Sequence, residues 1–242
     1  MGYRIPAFEL RPYMDVVELA KTRIMPLTGQ PYSFDMTPYF EEPCRFLDDV
    51  ASTCRVVISA PSQVGKTEVM LNFVAHVAVY DPAPSLIIMD TSNNSYKFSS
   101  GRLKPLLRDF VKLPAFEDTS VSNRNDDKKK AVSEYSLSNN SPLYIGGSVS
   151  LSDLCSKPCK YLVLDELARF YEGKEGSSVD LALKRQMRFR GMALLTSTPT
   201  VADNYITQYW RSGTAQTWGI LCPDCGKWFT CFYDKIIYDD VT

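Results

Sequence analysis

The segment CRVVISAPSQVGKTE (Cys54–Glu68) decides how this sequence folds. Its first seven residues, CRVVISA, are mostly apolar and β-branched, which is typical of a buried strand in a parallel sheet. A loop follows, and then a predicted helix from about Lys66 to Tyr80. A strand, a loop and a helix in this order are the setting of the phosphate-binding pattern G-x-x-x-x-G-K-[ST]. The segment therefore predicts an α/β fold with a nucleotide site at its first loop.

The loop departs from the pattern at one position, where Ala60 replaces the first glycine. The chemistry tolerates this change, because phosphates are held by backbone N–H groups and the helix N-terminus. Lys66 is predicted to place its charge on the β- and γ-phosphates, and Thr67 to bind Mg²⁺. The alternative is a chance Gly-Lys-Thr at a helix cap. The predicted cofactor-binding residues of the loop are Ala60, Pro61, Ser62, Gln63, Val64, Gly65, Lys66, Thr67 and Glu68.

Two adjacent acids end another predicted strand, KYLVLDE (Lys160–Glu166). Nucleotide hydrolysis needs Mg²⁺ held by an acid and a water molecule oriented by a base. Asp165 is the predicted Mg²⁺ partner, acting through a water molecule, and Glu166 the predicted catalytic base. Both can reach one site if the chain turns at the strand end, where ligands bind in open α/β sheets. The alternative is two solvated acids at the start of a surface loop.

Hydroxyl side chains end the predicted strand Met192–Thr198 within the sequence LLTSTPT. We call Thr196–Thr198 the coupling segment, because such a strand end can sense the γ-phosphate in a nucleotide-driven motor. An ordinary strand-to-turn stop is the alternative. Strands alternating with helices predict a mainly parallel sheet. The other predicted strands are Cys54–Ala60, Ser85–Asp90, Ser141–Gly147 and, as a possible sixth, Thr217–Cys222.

Composition limits how the chain can meet nucleic acid. The sequence has 242 residues, is 45% hydrophobic and 23% charged, and carries a net charge of −1. Binding of DNA by the whole surface would favour a basic chain, so any contact must be a local patch. The two basic clusters are Asn123–Lys130 and Lys184–Arg190, and a solvated helix face is the alternative for the second. The apolar helix Val69–Tyr80 is too short to span a bilayer.

The seven cysteines indicate free or metal-bound thiols rather than disulfides, since no secretory signal precedes them. Cys222 and Cys225 form half of a zinc knuckle. Cys231 could be a third ligand, and Cys155 and Cys159 could join only if the fold brings them close. A half-site without metal is the favoured interpretation.

Seven segments together resemble the ATPase domain of tailed-phage terminase large subunits of the lambda GpA-like family. They are FDMTPYFEEP (Phe34–Pro43), SAPSQVGKTE (Ser59–Glu68), FSSGRLKPLLRD (Phe98–Asp109), YIGGSVSLSDL (Tyr144–Leu154), KYLVLDE, LLTSTPT and CPDCGKWF (Cys222–Phe229). The resemblance implies a RecA-like P-loop fold of the ASCE type and an ATP-driven motor that pumps double-stranded DNA into a procapsid. It implies a portal, a small terminase subunit and a homo-oligomeric ring as partners, no membrane, and the cytoplasm of an infected bacterium as location.

Carried onto this sequence, the family pattern assigns the roles already given for Lys66, Thr67, Asp165 and Glu166. Replacement of the first glycine is common in the family, as is a glutamine at Gln63. Ser62 stands where many terminases have a basic residue, and Ala168 where relatives often have another acid. The departure at Ser62 leaves open which further positive charge stabilises the γ-phosphate. Candidates for this catalytic arginine are Arg102, Arg108 and Arg124, and Tyr39 is a weaker candidate for contact with adenine.

The expected organisation has three parts: residues 1–50 as an N-terminal segment packed on the core, 51–220 as the ATPase core, and 221–242 as the start of a CxxC knuckle. The nuclease domain of such proteins would lie beyond Thr242, so no DNA cleavage is expected from this chain. Two other functions stay open. One is a helicase-like, nucleic-acid-stimulated ATPase, and the other is a docking module that binds nucleotide without hydrolysing it.

Overall fold

In the computed structural model of the chain, residues 12–51, 54–112, 134–150, 155–170, 172–173, 176–201 and 203–230 are described. The strands are β1 (Arg55–Ser59), β2 (Ser85–Met89), β3 (Glu134–Ser136), β4 (Pro142–Gly147), β5 (Tyr161–Asp165), β6 (Glu172–Gly173), β7 (Gly176–Ser177), β8 (Ala193–Ser197), β9 (Ile220–Leu221) and β10 (Trp228–Phe229). The α-helices are α1 (Val16–Lys21), α2 (Glu41–Arg45), α3 (Lys66–Tyr80), α4 (Ser92–Phe98), α5 (Ser178–Leu183) and α6 (Tyr205–Arg211).

Six strands form the central sheet in the order β1-β8-β5-β2-β4-β3. All neighbours are parallel except β3, which pairs antiparallel with β4 at the edge. In register, Ser59 of β1 lies opposite Ser197, and Asp165 of β5 lies opposite Thr196. The carboxyl ends of β1, β8 and β5 therefore meet at one edge of the sheet, directly before the loop that leads into α3.

The predicted mainly parallel α/β fold is confirmed, with its five main strands within a residue or two of their predicted bounds. The possible sixth strand was wrong as a member of this sheet. Only Ile220–Leu221 is a strand there, and it pairs antiparallel with β10 in a separate two-stranded sheet. The reason is the tight turn after it, in which Gly226 N–H donates to the carbonyl of Cys222 at 2.9 Å. The edge strand β3 was not predicted.

Helices cover both faces of the sheet. One face packs against α3 and the N-terminal segment, and Val16, Phe40 and Phe73 are buried in that layer. The other face packs against α5 and α6, with Val179 and Ile206 fully buried. Helix α3 is buried nearly all round, which explains why its sequence is apolar without a polar stripe. No helix among the described residues is long and apolar enough to cross a membrane.

Local sequence sets where the helices begin. Asp15 caps α1 by accepting a hydrogen bond from Glu18 N–H, and the Glu18 carboxylate returns one to Asp15 N–H. The sequence pattern predicts a helix from Arg11 to Lys21, and this reciprocal capping box begins it five residues later, at Val16. The predicted helix Lys66–Tyr80 is confirmed at both ends. After α4 the chain continues in π-helical turns at Ser99–Leu103 and Leu106–Val111.

Candidate nucleotide site

The loop between β1 and α3 has the backbone that a phosphate cradle needs. Gly65 has φ 100° and Gln63 has φ 62°, both in the left-handed region, and Gly65 is the N-cap of α3. Ala60, in contrast, lies outside the left-handed region. Its N–H donates to the carbonyl of Ser197 at 3.1 Å. The first loop position therefore needs no glycine for conformational reasons, which explains how Ala60 replaces it.

The side chain of Lys66 is buried within this loop. Its Nζ donates to the carbonyls of Ala60 at 3.2 Å and Pro61 at 2.7 Å, and to Thr198 Oγ1 at 2.9 Å. Burial lowers the pKa of Lys66, while the nearby charges of Glu166 and Asp165 oppose that shift. The ammonium group is thus held at the centre of the loop, with acids close enough to keep it charged.

Asp165 lies at the end of β5 and is 5% exposed. Thr196 Oγ1 donates to its Oδ1 at 2.6 Å. Burial raises the pKa of Asp165 to about 6, and the bond from Thr196 opposes the rise. Thr67 occupies the first turn of α3, next to Lys66. A buried carboxylate and a hydroxyl are hard oxygen donors of the kind that Mg²⁺ prefers.

Glu166 follows directly, with φ 55° in the left-handed region. This conformation supplies the turn that the sequence argument required, because it redirects the side chain after the strand. Glu166 Oε2 is buried and has no hydrogen-bond partner among the described residues. Arg169 Nε lies 4.0 Å from this oxygen. This oxygen is thus free to accept a hydrogen bond from a bound water or ligand.

Each hydroxyl of the coupling segment contacts a different part of the site. Thr196 bonds to Asp165, and Thr198 accepts from Lys66, as described above. Ser197 Oγ accepts from Ala168 N–H at 3.0 Å, just past the acidic pair. The end of β8, which lies between β1 and β5, is therefore hydrogen-bonded both to Lys66 of the loop and to Asp165.

An aromatic cleft of about 380 Å³ adjoins the loop. Tyr39 O–H donates to the carbonyl of Val64 at 3.1 Å, and its ring meets Phe40 and Trp218 edge-on. Tyr39 was a candidate in the sequence. Trp218 was missed, because only the fold brings residues so far apart in the chain to the same cleft.

The candidate arginines have different surroundings. Arg102 Nη1 lies 3.4 Å from Oε1 of Glu68, and Glu68 is in the first turn of α3. Arg108 is exposed and bonds to its neighbour Asp109 at 2.6 Å. Arg124 lies outside the described residues. Glu68 Oε2 is bonded at 2.6 Å to Arg23, which is fully buried and which sequence reasoning missed.

The cysteines do not assemble a metal site within the described part of the chain, where no three His, Cys, Asp or Glu side chains cluster. Cys222 and Cys225 share the turn after β9, and backbone N–H groups of Cys225 and Asp224 lower the pKa of the Cys222 thiol. Cys159 is buried, which raises its pKa to about 12. Cys231 lies outside the described residues. Two thiols fall short of the four ligands of a structural zinc site.

Comparison with known proteins gives the family. The model of the phage terminase large subunit gpA ATPase domain matches residues 28–242. Two solved structures of the large terminase ATPase domain of Thermus phage P74-26, one of them a mutant, are each 16% identical to this chain. They cover 85% and 86% of it and 80% and 83% of their own chains, with TM-scores of 0.48 and 0.46. A search of curated proteins found no match.

The family match spans most of the sequence and confirms the predicted resemblance. Together with the parallel sheet and the strand–loop–helix at Lys66, it confirms the RecA-like P-loop fold. It also assigns nucleotide use to the chain at the level of the family. On this match, the chain belongs to the phage terminase large subunit gpA ATPase-domain family.

Proposed function

We propose that this chain hydrolyses ATP to drive double-stranded DNA into a viral procapsid. The observation that carries the proposal is the meeting of three segments at one sheet edge. Lys66 of the phosphate loop, Asp165 of the acidic pair and Thr196–Thr198 of the coupling segment are joined there by direct hydrogen bonds. Family membership supplies the biological setting.

The loop and α3 would bind the phosphates of ATP. Backbone N–H groups and the N-terminus of the 15-residue helix α3 attract the β- and γ-phosphates, and Lys66 adds a full charge. Thr67 and Asp165 are the proposed Mg²⁺ residues, with Asp165 acting through a water molecule. Mg²⁺ bound there would neutralise charge that develops on the phosphates.

Glu166 is the proposed base for the attacking water. Its buried Oε2 lacks a donor among the described residues, and a water O–H would supply one. Holding that water in line with the γ-phosphate orients the nucleophile, and the carboxylate accepts its proton as the bond forms. Because Glu166 turns away from the strand axis at its positive φ, it need not compete with Asp165 for the metal.

The proposed site also needs a positively charged side chain beside the transferred phosphoryl group, to stabilise its negative charge in the transition state. Arg102 is the candidate within the same subunit, since it already contacts Glu68 beside the phosphate loop. Arg108 is exposed and is the better candidate for reaching a neighbouring subunit of a ring. The aromatic cleft is proposed to bind adenine, with Tyr39 and Trp218 against the base.

The motor would work as a homo-oligomeric ring with a portal and a small terminase subunit, in the host cytoplasm. Its chain would comprise an N-terminal segment (1–50), an ATPase core (51–220) and the start of a knuckle (221–242) without zinc.

The test is steady-state ATP hydrolysis by this chain, with and without double-stranded DNA, beside Lys66→Ala. Turnover that Lys66→Ala abolishes, and that DNA stimulates, would support the motor. Turnover that single-stranded DNA stimulates better would favour the helicase-like alternative. Nucleotide binding without turnover in any condition, including high protein concentration that favours assembly, would contradict the proposal and favour the docking module.

A further inference from the structure

The segment Lys184–Arg190, which we call the basic turn, is displayed on the surface between α5 and β8. Lys184, Arg188 and Arg190 are exposed. Met187 is 82% exposed and Phe189 is 38% exposed. Met187 and Phe189 therefore place exposed apolar surface on either side of Arg188.

The base of the basic turn is firmly anchored. Gln186 Nε2 donates to the carbonyls of Lys160 and Met192, both at 2.9 Å. Arg190 Nη2 donates to the carbonyl of Ala51 at 2.6 Å, and Arg185 donates to the carbonyl of Cys155. Since these bonds fix the backbone on both sides of the tip, the tip is presented at little cost in conformational entropy on binding.

The charge of the basic turn is uncompensated. Within the part of the chain that the structure describes, no carboxylate lies within ion-pair distance of Lys184, Arg188 or Arg190. Two other exposed arginines are paired with acids: Arg45 with Glu41 at 2.7 Å and Arg211 with Asp203 at 3.0 Å. In a chain with net charge −1, a cluster without acids is a local positive patch.

We propose that the basic turn binds the phosphate backbone of duplex DNA, with Lys184, Arg188 and Arg190 as the contacting cations. Phosphate contacts read no sequence, as translocation along any genome requires. The side chains of Met187 and Phe189 would then pack against the sugars at the groove edge. The assignment of the partner rests on the proposed motor function.

The position of the basic turn links DNA to the nucleotide site. Gly191 and Met192 join the turn directly to β8. Only glycine fits at position 191, because a Cβ there would lie 1.8 Å from the carbonyl oxygen of Lys160. The other end of β8 holds Thr196, which bonds to Asp165. The five residues of β8 span about 16 Å. One short, buried strand therefore runs between the proposed DNA contact and the proposed Mg²⁺ residue.

The experiment is equilibrium binding of a fluorescent 30-base-pair duplex to the full chain, measured by anisotropy over a series of salt concentrations without nucleotide. The test variant is Lys184→Gln/Arg188→Gln. Arg45→Gln is the matched control, because Arg45 is exposed but paired. Each lost phosphate contact should make the negative slope of log K against log salt shallower by about 0.9. It should also weaken binding about eightfold at 0.1 M salt. Arg188→Lys should bind within about twofold of the wild type.

A double variant that binds DNA as tightly as Arg45→Gln, with the same salt slope, would overturn the inference, as would a wild-type chain that does not bind the duplex. If only the oligomeric mass of the double variant changes, the basic turn is an interface between subunits and the inference is wrong. ATP hydrolysis without DNA, measured for the wild type, the double variant and Lys66→Ala, tests the ATPase proposal separately. Since DNA binding is measured without nucleotide, either proposal can fail while the other holds.

Discussion

Lys66 Nζ and Thr198 Oγ1 are 2.9 Å apart, although 132 residues separate them in the chain. The bond joins the first turn of α3 to the coupling segment after β8. If Lys66 contacts the γ-phosphate as proposed, Thr198 is hydrogen-bonded to a group whose surroundings change when that phosphate leaves. The relationship makes the coupling role of Thr196–Thr198 testable one hydroxyl at a time.

Thr198→Val should lower kcat for ATP about tenfold while changing KM by less than about threefold. Valine has the same shape but cannot accept the bond from Lys66, and a hydrogen bond to a charged group contributes about 1.5–3 kcal/mol. The lysine would lose part of its orientation rather than its charge. Thr198→Ser, which keeps the hydroxyl, should restore turnover, and equal kcat in both variants would show that the contact has no catalytic role.

Glu166→Gln should bind ATP with nearly unchanged affinity and hydrolyse it about 10²–10⁴-fold more slowly. The amide has the same size as the carboxylate but cannot accept the proton of the attacking water. Nucleotide affinity from calorimetry and single-turnover hydrolysis provide the two readouts. A variant that retains wild-type turnover would assign the base to another residue.

The local sequence predicted the strand, loop and helix around Lys66 well, and the structure shows why. Gly65 is required for its positive φ, and Lys66 and Thr67 follow it at the start of a helix whose two ends were both predicted. The acidic pair was equally readable, because Asp165 ends an apolar strand. These features depend on neighbouring residues, so periodicity and spacing describe them fully.

Contacts between segments far apart in the chain could not be predicted from the sequence. Arg23 looks like a surface residue in a proline-rich region, yet the fold buries it against Glu68 and Asn72. Trp218 reaches the aromatic cleft only through the return of the chain after α6. The predicted sixth strand does not join the central sheet, because the tight turn at Cys222–Gly226 pairs Ile220–Leu221 with β10. Tertiary packing overrides local propensity at such places.

Asp165→Asn should make the protein more stable at pH 7.5, by up to about 3 kcal/mol, and leave stability near pH 4 unchanged. Burial raises the pKa of Asp165 from its usual 3.8 to about 6. Between these values the folded state holds a proton that the unfolded chain releases. The contribution of Asp165 to stability is therefore present below about pH 4 and lost as pH rises through 6. Urea unfolding across pH 4–8 measures the difference between the two proteins.

Function should show the opposite trend, because only ionised Asp165 can attract Mg²⁺. Mg²⁺-dependent nucleotide binding by the wild type should therefore strengthen as pH rises through about 6, and this dependence should be weaker in Asp165→Asn, where only the phosphate itself titrates. The exposed Asp203→Asn serves as the control in both measurements. A wild-type binding curve that is flat between pH 5 and 7 would contradict the assignment of Asp165 to the metal.

Arg23→Met should destabilise the fold by about 3 kcal/mol. Arg23 Nε donates to Asn72 Oδ1 at 2.7 Å and Nη2 donates to Glu68 Oε2 at 2.6 Å, all within the packing of the N-terminal segment on α3. Methionine fills similar space but leaves both acceptors without a donor. Glu68 keeps Arg102 at 3.4 Å, which holds the cost at the lower end of the range for a broken buried pair.

A double-mutant cycle separates this network from simple loss of packing. In Arg23→Met/Glu68→Met the orphaned carboxylate is gone, so the double variant should be more stable than the sum of the two single changes predicts, by about 1–3 kcal/mol. Arg45→Gln, which breaks an exposed pair with Glu41, should change the free energy of unfolding by less than about 1 kcal/mol. Strict additivity in the cycle would mean that Arg23 acts only through its bulk, and that the buried charge does not tie the N-terminal segment to the helix that carries Lys66.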